Sequence, residues 1–178
     1  FALIVALLVG FVFYWFLRRR NLAAWLLGMR LLLIRLPKED KKTKEIADLK
    51  KEITPSEQLF SILIGLRDPV VFEAAVHHIG EEIHFYVSVK GEAADFVKRQ
   101  IQGLWPGAEV KEIDEYTIFN PHGSAVGGYL ALRQSFILPL RTYEEANLDT
   151  FASILSNLSK LDEIGEGAAF QVVFRQAA

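Results

Sequence analysis

The chain contains no cysteine, so structural disulfides and thiolate zinc sites are excluded at once. Its four histidines are the remaining metal candidates. Residues 1–17 carry no charge. No G-x-x-x-x-G-K-[ST] run occurs anywhere. The nearest approach is "GSAVGGY" at 123–129, where Gly123 and Gly128 have the right spacing. Tyr129 and Leu130, however, stand where the phosphate-reaching lysine and the magnesium-binding hydroxyl must be. That stretch reads as a turn leading into a strand.

What the chain does have is unevenly placed. Its 178 residues are 51% hydrophobic, with the excess at the N-terminus. Residues 1–53 hold eleven Lys/Arg against five Asp/Glu, and residues 54–178 hold nine against seventeen. A basic stretch beside an apolar one suits anionic lipid headgroups. The acidic remainder repels a phosphate backbone, because affinity for nucleic acid rests on cations neutralising phosphates. Direct nucleic-acid binding by the folded region is therefore not expected.

Residues 1–17, as a helix, reach roughly 26 Å, slightly less than the ~30 Å hydrocarbon core. Tyr14 and Trp15 fall at the headgroup level, and Arg18, Arg19 and Arg20 follow directly, which places what comes next in the cytoplasm. A cleaved signal peptide would carry its basic residues before the apolar run and small residues at a cleavage site. Neither is present, so a retained transmembrane helix is the expectation, with a signal peptide or a buried core helix as the rival. Residues 18–37 read as a basic, apolar helix along the cytoplasmic leaflet, with Trp25 at the interface and Arg30 and Arg35 snorkelling. A second, return span is the competing reading. Residues 38–53 alternate lysines with acids as a charged helical connector, with Asp40–Lys44 and Lys41–Glu45 at i,i+4.

The folded domain is expected at 54–178. "TPSE" (54–57) is a capping box, so a helix should start there and end before Pro69. A hairpin follows. Setting His77 opposite His84 places Phe72, Ala74 and Val76 with Val89, Val87 and Phe85 on one face; Glu73, Ala75 and His77 then lie with Ser88, Tyr86 and His84 on the other. A helix over 92–104 should bury Ala93, Phe96, Val97, Ile101 and Leu104. Strands at 108–114 and 126–140, a helix over 143–161 opened by "TYEE", and a strand at 168–175 complete the chain. Counted from strand 83–90, the order is βαββαβ. The expected fold is thus α+β and ferredoxin-like: an antiparallel sheet with two helices on one face, and strand 70–78 added at an edge.

Chemistry is sparse. His77 and His84 are cross-strand candidates for a metal, but a zinc site usually needs three or four ligands, and Glu73 lies further along the sheet. Glu81–Glu82 and Glu144–Glu145 suit solvated turns and helix starts. Asp114, His122 and Ser124 form no nucleophile–base pattern. The residues point to no active site and no cofactor.

The run "LLLIRLPKE", the block "FVKRQIQGLWPGAEV" and the tract "GYLALRQSFILPLRTYEEANLDTFASILSNLSKLDEIGEGAAFQVVFRQA" together resemble the membrane-proximal N-terminal region of bacterial type IV secretion and conjugation-type, coupling-protein-like ATPases. The resemblance covers residues 31–178. It implies an inner-membrane, non-catalytic region that tethers a motor and helps it oligomerise, with the bilayer, further copies and other secretion-apparatus subunits as partners. No ATP-binding residue carries over. A chain that starts at Phe1 and ends on a strand reads as cut at both ends, with the motor downstream. The alternative is a stand-alone membrane protein whose ferredoxin-like domain binds a regulatory ligand or metal.

Overall fold

The computed structural model describes residues 8–11, 13–15, 28–37, 47–77, 82–131, 150–161 and 165–174, with 47–52 as backbone alone. Residues 8–11 and 13–15 are helical. Five strands follow: β1 (Met29–Arg35), β2 (Val70–Val76), β3 (Ile83–Lys90), β4 (Glu109–Ile113) and β5 (Ala168–Phe174). Three helices lie among them: α1 (Ala47–Ile64), α2 (Gly91–Leu104) and α3 (Thr150–Leu158). All pairings are antiparallel, in the order β4-β1-β3-β2-β5.

The largest correction concerns Met29–Arg35. This segment is a strand between β3 and β4, not part of an interfacial helix over 18–37. A short apolar run bounded by Gly28 and Pro37 suits a strand buried on both faces as well as it suits a helix, and its length decides for the strand. Leu32, Leu33 and Ile34 are all buried, on alternating faces. The sheet therefore includes Met29–Arg35, upstream of the expected domain start at 54. The expected βαββαβ order is present, but it runs from β1 to β4 and not from β3 to the C-terminal strand.

Three further corrections follow. Thr54 does not open a helix, since α1 runs through it with Pro55 inside. Proline removes one backbone donor and crowds the carbonyl four residues back, yet the apolar side of α1 continues to Leu59 and Leu63, which are buried in the core. Strand β2 lies inside the sheet between β3 and β5 rather than at an edge. Ala74 and Ala75, pointing to opposite faces, are both fully buried, as an interior strand requires. Residues 126–131 are not a strand; Val126, Tyr129 and Leu130 are almost fully exposed. The rest of the expected strand to 140, the "TYEE" box, the hairpin turn, the connector pairs at 40–45 and residues 18–27 lie outside the described residues.

All three helices cover one face of the sheet. Leu32, Ile34, Val70, Val87, Val89 and Val110 meet Leu59 and Leu63 of α1 and Ala94, Val97 and Ile101 of α2. Phe60 packs edge-on to Phe72 and Phe174, at 5.9 and 5.5 Å between centroids. Leu158, with Phe151, Ile154 and Leu155, carries α3 onto Ala74 and Val76. Each fully buried Leu, Ile or Val contributes about 1.5–3 kcal/mol. On α2, Ala94 takes the buried place expected of Phe96, which stays partly exposed. A turn from Trp105 to Ala108, with Pro106 and then Gly107 at φ +91°, delivers the chain into β4.

Candidate functional site

The other face of the sheet has no helix on it among the described residues. By the period of two along a strand, β1 presents Leu31, Leu33 and Arg35 there, β2 presents Glu73, Ala75 and His77, and β3 presents His84, Tyr86 and Ser88. The hairpin register sets Glu73 opposite Tyr86 and Ala75 opposite His84. This is slipped by two residues from the expected pairing of His77 with His84. A slip of two keeps every side chain on its face, so the expected division into faces holds.

The chain itself closes this face. After β4, residues 114–120 leave the ladder and cross the sheet as an extended strap. Ile113, Tyr116 and Ile118 pack against the buried cluster of Leu33, Ala75 and Tyr86, as does Ala169 of β5. The strap ends beside the loop before β5. A methyl group on Gly167 would lie 2.4 Å from the Ile118 carbonyl oxygen, and one on Gly165 3.0 Å from Asn120 Nδ2. The seven residues reach about 23–25 Å when extended, enough to cover the about 19 Å of four interstrand spacings. Inner and outer residues alternate: Tyr116, Ile118 and Asn120 are half-buried, and Thr117 and Phe119 are exposed. At its end the Asn120 side-chain oxygen accepts from the His122 N–H at 3.0 Å, and its carbonyl accepts from Gly123.

Beneath the strap lies a cluster of polar and aromatic groups. Tyr86 is 1% exposed and Glu73 5%, the only buried charged residue among those described. Tyr116 stacks on Tyr86 with centroids 4.4 Å apart and rings 3° from parallel, and on His77 at 5.0 Å. His77 Nε2 shares a 2.6 Å hydrogen bond with the Tyr86 hydroxyl. His77 and His84 stack at 4.8 Å. Burial pushes the Tyr116 phenol well above the ordinary tyrosine value, helped by its hydrogen bond to Glu73 and by the Glu73 charge. Burial and the Glu73 charge raise Tyr86 too, against a smaller pull from Arg35. Both shifts favour the protonated phenol.

The geometry also bears on the histidine pair. An imidazole binds a metal through lone pairs in its ring plane, and two stacked, near-parallel rings do not aim at a common point. His84 Nδ1 donates to the Glu82 carbonyl at 2.9 Å, which commits that nitrogen. Among the described residues, no three His, Asp or Glu are grouped to hold a metal ion.

Elsewhere, a cleft of about 350 Å³ opens at the start of β1 between Arg30, Lys90 and the first turn of α2. Arg30 there is paired with Glu112 at 2.8 Å. Of the expected membrane-interface residues, Tyr14 and Trp15 are helical and exposed; Arg18, Arg19, Arg20 and Trp25 lie outside the described residues. No described helix is long and apolar enough to cross a membrane. His122 and Ser124 sit on an exposed turn. The Glu73–Tyr86–Tyr116 cluster was not expected as a site. Its signal was the alternation of Tyr116 and Ile118 in "EYTIF".

A family model matches residues 27–178, from the start of β1 to the end of the chain. The chain belongs to the DUF8128 family. That family is described as a domain of unknown function. No curated protein and no solved structure matches this DUF8128 chain.

Proposed function

We propose that this chain is a membrane-anchored, non-catalytic assembly region of a type IV secretion or conjugation ATPase, which tethers a downstream motor and helps it oligomerise. The observation that carries the anchor is the N-terminal helical stretch. Leu8, Val9, Phe11, Phe13, Tyr14 and Trp15 point around the whole helix and are 49–66% exposed. Large apolar side chains exposed on every side call for a cover. Lipid supplies it, and Arg18–Arg20 beyond favour the inner leaflet of the bacterial inner membrane, with the domain in the cytoplasm. We read residues 29–113 as ferredoxin-like, with β5 as the additional edge strand. The self-closed sheet face suits a building block better than a receptor.

The alternative reading is a stand-alone membrane protein with a regulatory ligand-binding domain. The buried Glu73 favours it, because a carboxylate in a sheet centre is costly to keep. Tyr116 already occupies the space such a ligand would take.

Vesicle flotation tests the anchor. The wild-type chain, reconstituted with vesicles containing anionic lipid, floats with them and stays bound in high salt. The Leu8→Asp/Phe11→Asp double variant floats at least tenfold less, since each charge costs about 2.5–3.5 kcal/mol in the bilayer centre on insertion scales. A wild-type chain that remains in the dense fraction would overturn the reading.

A further inference from the structure

The two edges of the sheet differ in a way that points to a partner. Edge strand β4, "EVKEI", carries Glu109, Lys111 and Glu112, all exposed. Charges along an edge are how sheets discourage pairing with another chain. Edge strand β5, "AAFQVVF", is seven residues long with no charge and no proline, and among the described residues it pairs only with β2. Val172 and Val173 on it are 41% and 64% exposed, and Gln171 at its centre is exposed as well.

The sequence of β5 also matches itself. Laid antiparallel to a second copy about a two-fold axis at Gln171, it sets Ala168 against Phe174, Ala169 against Val173 and Phe170 against Val172. Small residues then meet large ones, no like charges face each other, and the two Gln171 amides, which can both donate and accept, lie side by side. The same operation on β4, about its central Lys111, sets lysine against lysine; closing β5 of one copy on β4 of the next lays an uncharged strand along a charged one.

We propose that β5 is the seam between two copies of this chain, joined antiparallel at Gln171 into one ten-stranded sheet. This gives an isologous interface, the commonest closed form of self-association. The inference rests on the reading that the chain self-associates, and it names the surface.

Because the chain has no cysteine, one introduced thiol reports on one position. The test is oxidation of the full chain in mild detergent, carrying Gln171→Cys, with Ala169→Cys and Lys111→Cys as separate comparisons. Gln171→Cys gives a disulfide-linked dimer in high yield, since directly opposed residues lie about 4.5–5.5 Å apart at Cβ. Ala169→Cys and Lys111→Cys give at least fivefold less. Val173→Lys, at an exposed site, lowers the Gln171→Cys yield at least fivefold with an unchanged circular dichroism spectrum. If sedimentation shows an oligomer but Gln171→Cys does not cross-link, the seam is overturned while self-association stands. Preferential linkage through Ala169 overturns the register. Linkage only in a chain carrying both Gln171→Cys and Lys111→Cys overturns the two-fold in favour of head-to-tail closure. A monomer in sedimentation overturns both the seam and the assembly reading.

Discussion

Replacing Tyr86 with alanine should lower the stability of the domain by about 3–5 kcal/mol, the range for removing a large aromatic ring from a core. Tyr86 is among the largest fully buried side chains described, although the face it occupies carries no helix among the described residues. Two interactions end and a void opens when its ring is removed. Tyr116 loses its stacking partner at 4.4 Å, His77 loses a 2.6 Å hydrogen bond, and the void lies directly under the strap. Tyr86→Phe separates these contributions: it keeps the ring and should cost only about 1–3 kcal/mol, the penalty for leaving a partner unsatisfied. Urea unfolding at neutral pH measures both. A loss below about 1 kcal/mol for Tyr86→Ala would mean that the strap does not seal this face.

Gly167→Ala should be the most damaging single methyl addition among the described glycines, at about 1–3 kcal/mol or somewhat more. Gly167 does not need a left-handed backbone; it needs the absence of a side chain. An added Cβ meets the Ile118 carbonyl oxygen at 2.4 Å, its carbon at 3.1 Å and its Cα at 3.2 Å. These are backbone atoms of the strap, which cannot turn aside as a flexible side chain would, so the strap must lift. The effect should therefore depend on Tyr116. In a Tyr116→Ala background, where the strap has already lost its anchor, Gly167→Ala should cost less than in the wild type, with a coupling of about 0.5–3 kcal/mol in a double-mutant cycle. Additive losses would show that Gly167 and Tyr116 serve unrelated contacts.

Both effects depend on a feature the sequence carries only faintly. Elements with a strong local period were legible: β3 at 83–90, α2 within one residue of its start, and the apolar C-terminal strand. The two faces of the hairpin were legible too, because alternation fixes the face even when the register is off by two. β1 was not, because "RLLLIR" has no period to separate a short buried strand from a helix beside the preceding apolar run. The start of α1 was misplaced because proline at 55 and a capping box look the same whether they open a helix or interrupt one. The site was the least legible part. Glu73 alternates as a solvated residue would, yet it is buried, with Tyr116 returning from beyond β4 to hydrogen-bond it. An extended strap without a ladder partner has no propensity signature, and glycines at 165 and 167 gain meaning only once the strap is seen beside them.

The account rests most heavily on Tyr116 being locked over Glu73, which leaves the domain with a closed, structural sheet face. Spectrophotometric titration of the full chain and of Tyr116→Phe toward alkaline pH tests this directly. If the lock exists, the ionisation that the substitution removes lies well above pH 10 in the folded protein. Stability in urea is then level up to about pH 10 and falls above it, because the unfolded chain gives up its phenolic protons first. A Tyr116 that ionises near pH 10 while the sheet remains intact would show that the strap is open and contradict the account.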